Sequence, residues 1–356
     1  MAGAEQGESL AHAPLSRGDR SSRDGIDLAS LLSLPLRLLM GALNAPMAWV
    51  QRRFGLAGMA AVLLAPNMII FGIFILIPVA INVAYSVTAG SAIFFDGRTF
   101  VGAGQYDRLL TCDNYSVPAT CREDAFWQGV QNTLFFVVAQ VTALVLVALV
   151  TALVLNREMR TRGFWRGVFF FPVLLSPVVV GLIWKWILQR DGLLNAVLVE
   201  WGFERTLWLA ERGWAMFWAI FVSIWAHLGF YALILLAGLQ AIPKDLYEAA
   251  EMDGTSRTRA FWRITLPLLW PNLLVVVILA LIRAVQVFDE VFVLTGGGPG
   301  TSTLFLTQYI YETGLAHVQR NLGLASAASI LMGAVLVILT LLQLGAANWR
   351  ERKERA

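Results

Sequence analysis

The sequence predicts an all-α integral membrane protein with a six-transmembrane-helix core, and three observations predict it. Hydrophobic residues make up 58% of the 356 residues and charged residues only 14%, against about 25% charged in soluble domains. The mean hydropathy is +0.66. The apolar residues are gathered into six runs, near 59–85, 128–155, 166–188, 213–240, 268–293 and 321–346, each long enough to cross a hydrocarbon core of about 30 Å. A soluble chain this apolar could not cover its own surface. The same figures exclude a disordered or nucleic-acid-binding chain. The net charge of +3 is no basic patch, because the basic residues sit in short segments between the runs. Two cysteines and three histidines are too few for a Cys/His metal cluster, so no metal site is expected.

Residues 1–27 are polar and Ser/Arg/Gly-rich, which predicts a disordered cytoplasmic tail without the pattern of a signal peptide. Residues 28–55 predict an interfacial amphipathic helix. Ser30, Ser33, Arg37, Gly41, Asn44, Ala48 and Gln51 recur every three or four residues and form a small-or-polar stripe. The alternative is a seventh span, which Pro35 and Pro46 would bend. The transmembrane domain follows over 59–346. Its first run carries Pro66 and Pro78 and its third carries Ser176-Pro177. Such prolines are tolerated when neighbouring helices satisfy the freed carbonyls, so they suggest a bundle. Residues 347–356 predict a basic cytoplasmic tail.

Orientation follows from the basic residues. With both termini cytoplasmic, the inside segments hold 18 Lys and Arg and the outside segments 7, with Lys185 and Arg283 inside spans. That bias places both ends inside. The outside segment 89–127 then holds Cys112 and Cys121, which predicts a disulfide there; two free thiols are the alternative. Lys185, between Trp184 and Trp186, reads as an interfacial anchor that snorkels.

The inside loop between the fourth and fifth runs, residues 243–267, reads as a helix, a glycine break and a second helix. Pro243 suits a first turn, and Asp245 and Glu248 favour a helix N-terminal end. Ala249 and Ala250 give a small face, Gly254 permits a turn, and Asp253 and Arg257 flank it. Two short helices carrying small residues and a carboxylate look like a docking surface; a solvated connector is the plainer alternative.

The pattern Glu248-Ala249-Ala250, three residues, Gly254, nine residues, then Ile264-x-Leu266-Pro267 resembles the EAA loop of permease subunits in binding-protein-dependent ABC importers. Further matching stretches are Phe100-Val101-Gly102 through Tyr106, Asn132-Thr133, Phe171-Pro172 through Ser176-Pro177, Gly238 through Pro243, and Leu294 through Gly300. Together they span about 59–346 and resemble the carbohydrate branch. The likeness is to the first permease of the pair in maltose, trehalose, α-glucoside and glycerol-phosphate systems. The resemblance implies a coupling helix in the EAA loop, with Glu248, Ala249, Ala250, Asp253, Gly254 and Arg257 meeting an ATPase subunit. It implies as partners a second homologous permease, two copies of an ABC ATPase, an extracytoplasmic solute-binding protein, a sugar and the lipid bilayer of a plasma (inner) membrane.

No Gly-x-x-x-x-Gly-Lys-Ser/Thr occurs in the sequence, so ATP and Mg are expected in the partner ATPase and no cofactor here. The Gly296–Gly300 segment lacks the lysine and reads as a turn into the next helix. The histidines fall in a tail (His12), a span (His227) and a loop (His317), which argues against a catalytic set. Polar side chains within spans are the solute candidates. Ser223, His227 and Phe230 recur at i, i+4, i+7, beside Tyr231. Arg283 and Gln286 lie one turn apart near mid-membrane. Arg283 needs Asp289 or Glu290 as partner, or the solute itself. In the resembled family these stretches line the sugar site, and His227 and Arg283 stand where neutral or small residues are common. A stand-alone ion-coupled secondary carrier is the rival reading. It would need an ionisable relay, which the chain does not clearly show.

Overall fold

The computed structural model describes residues 28–157, 159–316 and 320–355. The expected tail over 1–27, His12 and His317 lie outside the described residues. The chain divides into two compact units, Met1–Ile77 and Pro78–Ala356.

In the first unit, helix α1 covers Leu28–Phe71, with non-helical backbone at Gly55 (φ 69°, ψ −166°). The sequence placed the end of the interfacial helix at this residue. A π-helical turn covers Gly72–Leu76.

The second unit holds the other helices: α2 (Ile77–Ser86, reaching back to the boundary), α3 (Gly104–Leu110), α4 (Asp124–Asn156), α5 (Arg162–Phe170), α6 (Pro177–Leu188), α7 (Leu193–Glu200), α8 (Arg212–Gln240), α9 (Asp245–Met252), α10 (Arg257–Ala260), α11 (Leu266–Val285), α12 (Asp289–Thr295), α13 (Leu306–Tyr311) and α14 (Leu322–Arg355). Two short strands, β1 (Thr88–Ala89) and β2 (Thr99–Phe100), pair antiparallel. Among the described residues 5 helices are long and apolar enough to cross a membrane, and the bent pair Arg162–Leu174 and Pro177–Glu200 makes a sixth span if counted as one.

Two runs depart from continuous spans. The third is bent by 100°. Ser176, before Pro177, is forced into extended backbone (φ −62°, ψ 137°), and Pro177 opens α6, as proline's ring requires. The fifth ends at Val285, and α12 starts anew at Asp289 after Phe288 leaves helical space (φ −150°, ψ −68°). Asp289 and Glu290 occupy the first turn of α12, where carboxylates suit the helix dipole. At the C-terminal end, α14 continues helical through the expected basic tail to Arg355.

The main core joins α4, α8 and α11. Leu144, Ala148, Ala152 and Leu155 of α4 meet Leu235 and Leu239 of α8 and Leu269, Val276 and Ala280 of α11. The Ala148-x-x-x-Ala152 spacing lets the backbones approach, as membrane helices require. Gly238 of α8 packs on Asn272 and Leu269 of α11. Gly229 lets α8 lie directly on the backbone of Phe169 and Phe170, where a Cβ would collide with the Phe169 carbonyl. The Gln240 amide, turned to present its oxygen, accepts from Arg162 and Arg166 and ties α5 to the end of α8. Gly181 of α6 abuts the Glu290 carbonyl of α12, and Lys185 Nζ donates to the Val293 carbonyl at 3.1 Å. Lys185 is thus a tether between α6 and α12, beyond the anchoring expected from sequence.

At one end of the unit, Leu109, Phe126, Leu306, Tyr309 and Leu324 form a separate cluster. Cys112 and Cys121 are joined as a disulfide there. The Tyr309 hydroxyl donates to Glu123 at 3.3 Å, and Glu123 also pairs with Arg108. Burial, then the Glu123 carboxylate, holds the Tyr309 hydroxyl above the ordinary tyrosine range.

Candidate functional site

A cavity of about 430 Å³ opens where the broken third span meets α8 and α11. Pro172, Val173, Leu175, Pro177 and Val180 supply one wall, Ala226, His227, Phe230 and Tyr231 the second, and Arg283 the third. Pro177, which opens α6 after the break, is therefore part of the wall, together with Pro172 before it. The size lies within the range of small-molecule sites.

Four of the six residues expected to contact solute come together here: His227, Phe230, Tyr231 and Arg283. Ser223 and Gln286 are not in the lining. Ser223 is buried and its hydroxyl donates to Glu290 at 3.3 Å. Gln286 is exposed at the C-cap of α11, where the helix ends. His227 Nδ1 lies 2.8 Å from the Ser223 carbonyl oxygen. A carbonyl only accepts, so Nδ1 carries the proton and Nε2 is left available.

Arg283 makes no ion pair within 4.0 Å with Asp289 or Glu290 among the described residues. The sequence argument for such a pair assumed one continuous helix through 293. The break at Gln286–Phe288 redirects the carboxylates, and Glu290 turns to Ser223. That contact was missed, since no sequence signal marked the break. A second recess, about 320 Å³, includes Asn82, Phe288, Tyr311 and Ser329. There Asn82 and Ser329 bond each other at 2.7 Å, so their polar capacity is partly used.

The loop 243–267 adopts a helix, a left-handed glycine and a second helix. Thr255 N–H donates to Ala250 O at 2.9 Å and Gly254 N–H to Glu251 O at 3.0 Å. With Gly254 at φ 65° this is a Schellman ending of α9. Ser256 then caps α10, accepting from Arg259 N–H. Glu248, Ala249, Asp253, Gly254 and Arg257 are exposed and Ala250 half-buried. Tyr247 bonds Thr265 at 2.9 Å and holds α9 against the start of α11.

The Gly296–Gly300 segment is a bonded turn. Gly296 ends α12 in left-handed conformation (φ 60°), and Thr303 Oγ1 donates toward Gly298 O (2.7 Å) or Thr295 Oγ1 (2.8 Å). Asn132 donates to the Thr301 and Leu304 carbonyls at 2.7 and 2.9 Å, and Thr133 accepts from Leu306 N–H at 3.0 Å. The Asn132-Thr133 stretch that contributed to the resemblance is thus the peg for this turn. Among the described residues no group of His, Cys, Asp and Glu could hold a metal ion.

A helical bundle of membrane-spanning segments, with a mostly apolar cavity carrying Arg283 and His227 at a broken span and an exposed helical loop, has the makings of a membrane transport subunit. Residues 144–353, more than half the chain, match the family described as binding-protein-dependent transport system inner membrane component. The chain belongs to that family and is a permease subunit of an ABC importer. It is 34% identical over 283 residues to the sulfoquinovosyl glycerol transport system permease protein of Agrobacterium fabrum, covering 79% of this chain and 88% of that one. It is 34% identical over 302 residues to the trehalose/maltose transport system permease protein of Thermococcus litoralis, covering 83% and 95%. A solved bacterial ABC transporter involved in import of the acidic polysaccharide alginate shares the fold, with a TM-score of 0.67 at 24% identity over 82% of this chain and 95% of that one. Family membership favours the importer over the stand-alone carrier.

Proposed function

We propose that this chain forms the translocation path for a sugar, delivered by a solute-binding protein. It would pair with a second, homologous permease and two copies of an ATPase that carry the ATP and Mg. The observation that carries the coupling half of this reading is the exposed element 245–260, held at the start of α11 by the Tyr247–Thr265 bond. A movement of the ATPases would pass from Glu248–Arg257 into α11 and so to the wall holding Arg283. Such a two-state swing needs only that nucleotide favour one arrangement over the other. Both termini face the cytoplasm in this reading. The relatives named for sulfoquinovosyl glycerol and for trehalose/maltose support a carbohydrate solute.

The chain is tagged, purified from its membrane with its neighbours, and reconstituted in vesicles. Recovery of a second permease and an ATPase, with sugar uptake that requires ATP and the binding protein, is expected. Uptake by the chain alone under an ion gradient would overturn the reading.

A further inference from the structure

The cavity presents one permanent charge, and it is positive. Arg283 forms part of its wall, and its guanidinium is a planar, delocalised cation with five donors. Its other ionisable lining groups are His227 and Tyr231. No carboxylate lines the cavity, and none lies within 4.0 Å of Arg283 among the described residues. Glu290 is buried and held by Ser223. Asp289 is exposed at the start of α12.

Arg283 is exposed in the chain by itself, so a solute can reach its guanidinium, and a cation at membrane depth favours an incoming anion. Much of the remaining wall is proline, valine, leucine and alanine, which offers an anion few other polar partners. His227 Nδ1 is committed to the Ser223 carbonyl. Its Nε2 is left for a hydroxyl, and Phe230 offers an apolar face.

We infer that the transported solute is an anionic glycoside, whose carboxylate, sulfate, sulfonate or phosphate group seats on Arg283 while its ring lies near Phe230. This rests on the reading of the chain as a sugar-importer permease.

An unbiased uptake screen tests this. Cells with and without the gene are fed a mixed hydrolysate of neutral and acidic polysaccharides, supplemented with sulfated and phosphorylated sugars. Solutes whose depletion depends on the gene are identified by anion exchange at pH 7 and mass spectrometry, which also tells the anionic groups apart. Gene-dependent solutes are expected to be anionic. Arg283→Gln should lower their uptake about ten-fold or more with the assembled complex recovered in full, and Arg283→Lys should retain part of it. Neutral gene-dependent glycosides would overturn the inference and leave the importer reading standing. Loss of assembly in Arg283→Gln, rescued by Arg283→Lys, would overturn it too, by showing that a partner subunit supplies the counter-charge. Were no glycoside gene-dependent, the sugar reading would fall and this inference with it.

Discussion

Ser223 and His227 sit one turn apart on α8, yet only His227 lines the cavity. Ser223 is 3% exposed and bonds Glu290, itself 4% exposed. Removing that hydroxyl leaves a buried carboxylate one donor short, which costs about 1–3 kcal/mol, more for a charged group. Ser223→Ala should therefore lower the melting temperature of the purified complex. His227→Ala should leave melting nearly unchanged and raise the half-saturation concentration for uptake a few-fold, as one lost hydrogen bond of about 1 kcal/mol predicts. Melting curves and uptake kinetics on the same preparations check both; the reverse pattern would make His227 the packing residue. Periodicity alone could not make this distinction. An i, i+4, i+7 stripe spreads over about 60° of the helix at 3.6 residues per turn, so it can border a cavity on one edge and a neighbouring helix on the other. Arg283 was legible as an unusual charge within a span. Its lack of a close carboxylate was not, because Val285, Val287, Val291 and Val293 keep the hydropathy high across the point where α11 stops.

Spans are legible because one long apolar run suffices to mark each; breaks within them depend on what packs alongside. Pro177 was legible within the third run as a proline that a bundle tolerates, but the bend of 100° depends on what packs alongside. Gly229 admits the backbone of Phe169 and Phe170 against α8, and Gly181 admits Glu290 of α12 against α6. Substituting Gly229 by leucine should thus displace this wall of the cavity and abolish uptake, with the complex poorly assembled on size exclusion. The turn over Gly296–Gly300 depends similarly on α4. Asn132→Leu keeps a comparable volume but leaves the Thr301 and Leu304 carbonyls without their donor, an expected loss of about 1–3 kcal/mol. Limited proteolysis should then cut between residues 296 and 304 where the parent protein resists. At the same end, the joined Cys112 and Cys121 should resist a thiol reagent until the protein is reduced; labelling of both beforehand in oxidised membranes would show free thiols.

At the scale of the whole molecule, transport requires that events at an ATPase reach a cavity built on other elements, and Gly254 is where that route is most sharply testable. A Cβ at this position would meet nothing within 4 Å, so only the backbone, at φ +65°, resists substitution. A left-handed conformation costs an ordinary residue about 1–2 kcal/mol, while asparagine visits it routinely. The Schellman ending of α9 sets the angle at which Ser256 starts α10, and hence how Glu248, Leu246 and the 88% exposed Met252 are presented. Gly254→Asn should retain coupled uptake. Gly254→Val should fold, because the strained turn is at the surface, but should lose stimulation of ATP hydrolysis by the loaded binding protein. Glu248→Ala should also lose that stimulation by a separate cause, removal of an exposed carboxylate rather than strain. Basal hydrolysis, stimulated hydrolysis and uptake measured on reconstituted complexes separate the cases. If valine and asparagine at 254 behave alike, presentation of α9 does not govern coupling. If Glu248→Ala alone is normal, the contact with the ATPase rests on the small and apolar residues of α9 instead.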